Sequence, residues 1–184
     1  MRNILRQHTH AKHRDLDGLM SRLNISSRDG YGIFLRLHAR VVPAAEAALE
    51  GQLGFDEIPD AQARLRSPDL GHDLAALGLN PPPAETLSFV NDRAVMAGIA
   101  YVLEGSRLGA KLLLKDVLKA DSELPVSFLQ HGAGIRFWGS FTDWLDGQDW
   151  SRGDVNRACS AADAVFDAYL SASRNETERL PLEH

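Results

Sequence analysis

The chain has 184 residues, 44% hydrophobic and 24% charged, with a formal net charge of −5 at pH 7. That length supports one buried core, so a single domain over residues 1–180 is expected, with 181–184 ("PLEH") a tail that looks like a tag remnant. The mild acidity argues against general nucleic-acid binding, and no apolar run reaches the roughly 18–20 residues of a membrane helix.

Helical periodicity runs through almost the whole chain, and there is no strong alternating pattern or hairpin signal. The N-terminus "MRNILRQ" lacks a signal-peptide apolar core, which predicts a cytoplasmic protein. A first helix is expected from Arg2 to Leu23. A second starts near Ser27 or Asp29 and continues, bent at Pro43, through "AAEAALEGQL". "PDAQARLRSPDLGHDLAALG" reads as one or two short helices with Gly78 at the end, followed by a stiff linker from Asn80 to Glu85. A long helix is predicted from Asn91 to Lys119. "FLQHGAGIRFWGSFTDWLD" opens irregularly, with a helix from Ile135. The last helix spans Arg152 to Ser173, with Val155, Ala158, Ala162, Val165, Phe166 and Tyr169 on one face. It carries Cys159, the single cysteine, so neither an internal disulfide nor a Cys-based structural zinc site can form. The expected class is all-α, a bundle of about six to eight helices.

Two stretches carry chemical information. The first helix holds His8, His10 and His13. At about 100° per residue, Leu5, Thr9, Leu16, Met20 and Leu23 share a stripe. His13 falls at its edge, and His8 and His10 point off it on opposite sides. Three rings on a regular helix cannot converge on one ion, so a three-His metal site is not expected. His13 alone aims inward, as a hydrogen-bonded structural residue or as a single ligand, which suits a haem iron.

The second stretch is "GIAYVLEGSRLGAKLLLKDVLK", where Gly98, Gly105 and Gly109 interrupt an apolar helix. Each weakens the helix by up to ~1 kcal/mol relative to Ala. Two readings stay open: close helix–helix packing, or a backbone pressed against a flat ligand with a kink between the glycines.

Together these stretches resemble a known family. Leu5, Arg6, Thr9, His13, Leu16 and Asp17 fill a pattern similar to the opening helix of haem oxygenases. "YVLEGSRLGA" (Tyr101 to Ala110) resembles the distal helix of the bacterial, biliverdin-producing branch. "YGIFLRLHA", "LPVSFLQHG" and "WGSFTDWLD" are similar to that branch in the same order.

The resemblance implies a haem-oxygenase-like multi-helix bundle in which haem is both cofactor and substrate. O₂- and electron-dependent cleavage would yield biliverdin, CO and ferrous iron. Iron ligation falls to His13. Arg6, seven residues earlier and near the same face, would reach a haem propionate, or else is a solvated charge. Thr9, Tyr101 and Arg136 join the haem-binding candidates. Gly105 and Gly109 would lie against the haem face and leave room for O₂. Animal enzymes have an aspartate after the first glycine that holds a proton-delivering water network. Here Ser106, a catalytic candidate with Arg107, stands in the aspartate's place and Ala110 follows Gly109, so Arg107 and ordered water are the substitutes for that network. Relatives often carry a basic residue just after the aromatic matching Trp138; this chain has Gly139 there, with Arg136 nearby.

Arg107, Lys111, Lys115 and Lys119 recur every four residues. They form either a solvated face or a docking surface for an acidic electron donor. No nucleotide-binding fingerprint is present, so electrons would come from an external ferredoxin, flavodoxin or reductase. A monomer or weak dimer is expected. Two rivals remain. One is a non-catalytic haem- or bilin-binding protein of the same fold. The other is a non-haem member of the superfamily, a di-iron oxidase or a thiamin-degrading hydrolase. The di-iron site would need Glu-x-x-His pairs, which Glu46, Glu50 and Glu104 do not form, and the hydrolase a nucleophilic cysteine.

Overall fold

A computed structural model of the chain describes residues 1–121 and 123–177; the tail at 181–184 and the expected domain end at 180 lie outside them. Among the described residues there are seven α-helices, two 3₁₀ turns and no strand. The helices are α1 (Arg2–Met20), α2 (Arg28–Glu50), α3 (Ser67–Ala76), α4 (Arg93–Ala120), α5 (Ser127–Gln130), α6 (Phe137–Asp146) and α7 (Arg152–Thr177). The 3₁₀ turns, Phe55–Glu57 and Gln62–Arg64, connect α2 to α3.

Local chemistry sets where the helices begin and end. α1 stops three residues short of Leu23: the hydroxyl of Ser21 donates back to the Gly18 carbonyl at 3.0 Å. Leu23, 7% exposed, then folds into the core. α2 starts behind Ser27, whose hydroxyl accepts the Gly30 amide at 3.1 Å. It runs through Pro43 without a break. Proline has no N–H for the Ala39 carbonyl, and one residue along, the Arg40 carbonyl accepts the Glu85 amide of the extended linker at 2.7 Å. α4 begins at Arg93, not Asn91, because the Asp92 carboxylate caps it, accepting from Ala94 at 2.8 Å and Val95 at 3.1 Å. α6 begins at Phe137, two residues past Ile135, since Gly132 and Gly134 hold positive φ values of 72° and 82° and keep the chain in turns.

α7 runs four residues beyond Ser173 to Thr177. The reason is Glu176, which accepts from Arg36 Nε at 2.9 Å and Arg40 Nε at 2.7 Å. Burial pushes this carboxyl's pKa up, but the two guanidinium groups outweigh burial and hold it below its ordinary value. The same arginines donate to the Asn80 carbonyl at 3.0 Å and the Pro83 carbonyl at 3.3 Å. One polar cluster therefore ties α2, the linker and α7 together.

α7 packs along α4, α1 and α2. Its predicted inward face is buried from Ala158 through Tyr169, with Val155 partly buried against the core. The N-terminal half of α4, from Ala94 to Glu104, is buried too, apart from the partly exposed Tyr101. There Gly98 lets the two backbones meet: a Cβ on it would stand 2.2 Å from the Ala158 carbonyl oxygen. Beyond Gly105 the helix emerges, and Leu108 and Leu112 are 48% and 68% exposed. On the other side of α7, α1 is held by His8 to Asp163 and Lys12 to Asp167, both at 2.7 Å.

Gly98→Ala is expected to lower the free energy of unfolding in urea by about 1–3 kcal/mol, because the added methyl must push α4 off α7. An unchanged unfolding curve would contradict the close crossing.

Candidate functional site

Where α4 leaves the core, a cleft opens between it and α1. Its main part has a volume of about 670 Å³. That lies within the roughly 300–1,000 Å³ of small-molecule and cofactor sites. α1 contributes His13, Leu16 and Met20, and α4 contributes Val102, Gly105, Ser106 and Gly109. A smaller lobe of about 460 Å³ shares His13, Gly105 and Phe166 and is lined further by Arg2, Arg6, Tyr101 and Trp138.

The three N-terminal histidines separate as their helical phase predicts. His8 pairs with Asp163, His10 is exposed, and His13 faces the cleft. The His13 side chain is 60% exposed, with Nδ1 2.8 Å from Asp17 and its ring centroid 5.9 Å from that of Phe166. It is thus a cleft residue and not a packed core histidine. Its Nε2 has no partner among the described residues. Thr9, 3% exposed, donates to the Leu5 carbonyl at 2.8 Å. Burial raises the pKa of Tyr101, while the Thr9 hydroxyl, Arg6 and Arg2 pull it back, which places these four groups together at the small lobe.

The glycines divide between the two readings. Gly98 serves packing. A Cβ on Gly105 would make only an ordinary 3.7 Å contact with Trp138, and one on Gly109 would meet nothing within 4 Å. Protein packing therefore does not require glycine at either position, and both line the cleft. Helical structure continues unbroken through them.

The inner end of the cleft carries three polar groups that sequence reasoning did not assign to a site: His38, Arg66 and Tyr169, the last expected only on the buried face of its helix. His38 Nδ1 lies 2.8 Å from the Phe34 carbonyl, so it carries the proton and donates. Burial pushes the His38 pKa down to about 3, so the ring is neutral at pH 7. The Tyr169 hydroxyl is buried with no hydrogen-bond partner among the described residues, and burial raises its pKa to about 12. Arg66, 2% exposed, stacks over Phe128 at 4.7 Å and donates to Ser106 and, at 3.3 Å, to the Leu103 carbonyl. Among the described residues no carboxylate forms an ion pair with its guanidinium. Burial lowers its pKa, but an arginine stays charged.

Ser106 lines the cleft, and its hydroxyl holds Arg66 while donating to the Leu103 carbonyl at 2.8 Å. Arg107 turns away from the cleft. Its guanidinium meets Glu104 at 3.0 Å, His131 Nδ1 at 2.8 Å and the Arg64 carbonyl. The basic stripe therefore breaks up. Arg107 is drawn inward and Lys119 sits beside Ser26 and Asp116, which leaves Lys111 and Lys115 exposed together. Arg136 is 81% exposed, pairs with Asp143 at 3.5 Å and does not line the cleft. Its guanidinium folds over Gly139, 2.9 Å from where a Cβ would be.

Two rival chemistries find no support in the geometry. Among the described residues no three His, Cys, Asp or Glu side chains are placed to share a metal ion. Cys159 is 5% exposed, and burial, then Asp163, raise its thiol pKa, the opposite of an activated nucleophile. No helix among the described residues is long and apolar enough to cross a membrane.

The architecture matches that of a solved haem oxygenase from Neisseria meningitidis, studied with NO and CO bound. The TM-score is 0.84 at 23% sequence identity, covering 100% of this chain and 94% of that one. The likeness shows the fold: a haem-oxygenase-like helical bundle. No known family profile matches the sequence, and neither does any curated protein.

His38 gives the fold a pH dependence of definite sign. Its folded pKa, about 3, lies below the ordinary 6.5, so between those values the unfolded chain binds the extra proton. This contribution is complete above pH 6.5 and is lost as pH falls, by about 1.4 kcal/mol per pH unit. His38→Phe should flatten the slope of unfolding free energy between pH 6.5 and 4.5. An unchanged slope would show that His38 is not held neutral.

Proposed function

We propose that the protein is a haem oxygenase, cleaving haem to biliverdin, CO and ferrous iron with O₂ and electrons from an external ferredoxin, flavodoxin or reductase. One observation carries the reading. A single imidazole with a free Nε2 stands on one wall of the cleft, and the other wall is a helix backbone bared by Gly105 and Gly109.

The residues suit a flat, apolar, dianionic macrocycle. His13 would hold the haem iron through Nε2, with Asp17 beside Nδ1 orienting the ring. Leu16, Met20, Val102 and Phe166 give apolar walls. Arg2 and Arg6 line the small lobe, where they suit carboxylates, with Tyr101 and Thr9 between the helices. Bound haem supplies the iron that takes up O₂ and the ring that is oxidised.

The chain's own groups do the rest. Gly105 and Gly109 leave room beside the α4 backbone and restrict where a small ligand can lie. Ser106 fixes the Arg66 guanidinium at the inner wall. Arg66 and the unpartnered Tyr169 hydroxyl are donors, and neutral His38 offers a free Nε2. Three such groups around one end of a cavity can hold ordered water and relay protons, the task of the aspartate that Ser106 replaces. Arg107, bound to Glu104 and His131, acts on this site only through α4. A protein that binds haem or a bilin without turning it over remains the second reading, because no carboxylate lines the inner wall beside Arg66, His38 and Tyr169.

Turnover separates the two. A haemin complex supplied with ascorbate or a ferredoxin system should lose its Soret band while a broad red absorbance grows. A Soret band that persists would reduce the protein to a binder. Gly109→Leu should keep the fold, since its side chain enters open space, yet weaken haemin binding at least tenfold. Equal affinity would place the ligand elsewhere.

A further inference from the structure

A further hollow of about 340 Å³ borders α4; it shares Arg66, Leu108 and Phe128 with the cleft and Trp138 with the small lobe, and is closed on its other side by the connection from α5 to α6. Leu108, Leu114, Ile135 and Trp138 give it an apolar lining. Ile135 is 54% exposed and Leu108 48%, so the described residues leave this apolar surface open.

The charge around the hollow is one-sided. Four cations line it, Arg66, Arg107, Lys111 and Lys115, and no Asp or Glu does. The charge of Arg107 is already met by Glu104, which it shares with Arg64 at 2.6 Å. The other three are not met: among the described residues neither lysine nor the Arg66 guanidinium has an ion-pair partner. Exposed lysines alone would be unremarkable, because water solvates them well. Arg66 is different: a guanidinium 2% exposed has lost water, and Glu46 and Glu104 act on it only at a distance, with no carboxylate in direct contact among the described residues. α6 adds to the field: no side chain caps its N-terminus, so the amides of its first turn contribute positive potential.

We infer that this hollow is a second binding site, for a small amphipathic carboxylate. The apolar body lies on Leu108, Leu114, Ile135 and Trp138, and the carboxylate meets Lys111 and Lys115 with Arg66 behind them. The site does not depend on the haem reading. Arg66, Leu108 and Trp138 also border the cleft or its small lobe, but Lys111, Lys115, Leu114 and Ile135 line the hollow and neither of those.

Sodium octanoate is a suitable probe, followed by amide ¹H–¹⁵N chemical shifts of the purified chain, with octanol as the uncharged control. Octanoate should produce saturable shifts at Lys111, Lys115, Gly132 and Gly134, but not at His13 or Met20. Octanol should leave those amides in place. Lys111→Gln with Lys115→Gln should raise the octanoate Kd at least tenfold while the circular dichroism and melting curve stay as in the parent chain. The harsher Lys111→Glu with Lys115→Glu should abolish binding. His13→Ala should bind octanoate as the parent does, so failure of haem ligation and failure of this site are separable. Shifts confined to the cleft, an unchanged Kd in the glutamine variant, or equal binding of octanol would each overturn the inference.

Discussion

The crossing of α4 over α7 at Gly98 sets the rest of the structure. With backbone against backbone there, the first half of α4 is locked into the core. The second half emerges on a line that α1 does not follow, and a cleft opens between the two. Gly105 and Gly109 are on that emerging half. They are the same residue type on the same helix as Gly98, yet their surroundings are opposite: a carbonyl at 2.2 Å in one case, open space at Gly109 in the other.

The rotation of α4 is fixed by buried charge. Glu104 bonds Arg64 at 2.6 Å and Arg107 at 3.0 Å, and both guanidinium groups stack on the Phe137 ring, at 4.8 and 5.0 Å from its centroid. Such a cluster adds little net stability, because desolvation offsets much of the attraction. It does have direction. With Glu104 and Arg107 turned towards the 3₁₀ turn and α6, Gly105 and Gly109 are turned to α1. Arg66 extends the arrangement through Ser106, so the polar wall at the inner end of the cleft is built on the same supports.

Much of this was legible in the sequence wherever a local rule applied. Periodicity located α1, α4 and α7 to within a few residues, and helical phase sorted His8, His10 and His13. The glycines could not be sorted that way, since a bare backbone facing a helix and one facing a ligand look alike in sequence. Arg66, His38 and Tyr169 were missed for a related reason. Arg66 meets Ser106 across 40 residues from a segment without periodicity, and His38 and Tyr169 fall on ordinary buried helix faces. Arg107 and Arg136 were candidates by resemblance, but tertiary partners far along the chain, or simple exposure, direct them away from the cleft. The α7 extension depended on Arg36 and Arg40, 140 and 136 residues from Glu176.

The central proposal is that the α1–α4 cleft seats haem with His13 as the residue that would hold its iron. Titrating haemin into the purified protein and into His13→Ala, His8→Ala and His10→Ala, with absorption and electron paramagnetic resonance spectra, tests it most directly. The account predicts a histidine-ligated spectrum that is lost in His13→Ala and retained in the other two. Identical spectra for all four proteins, or no saturable binding by the parent chain, would contradict it.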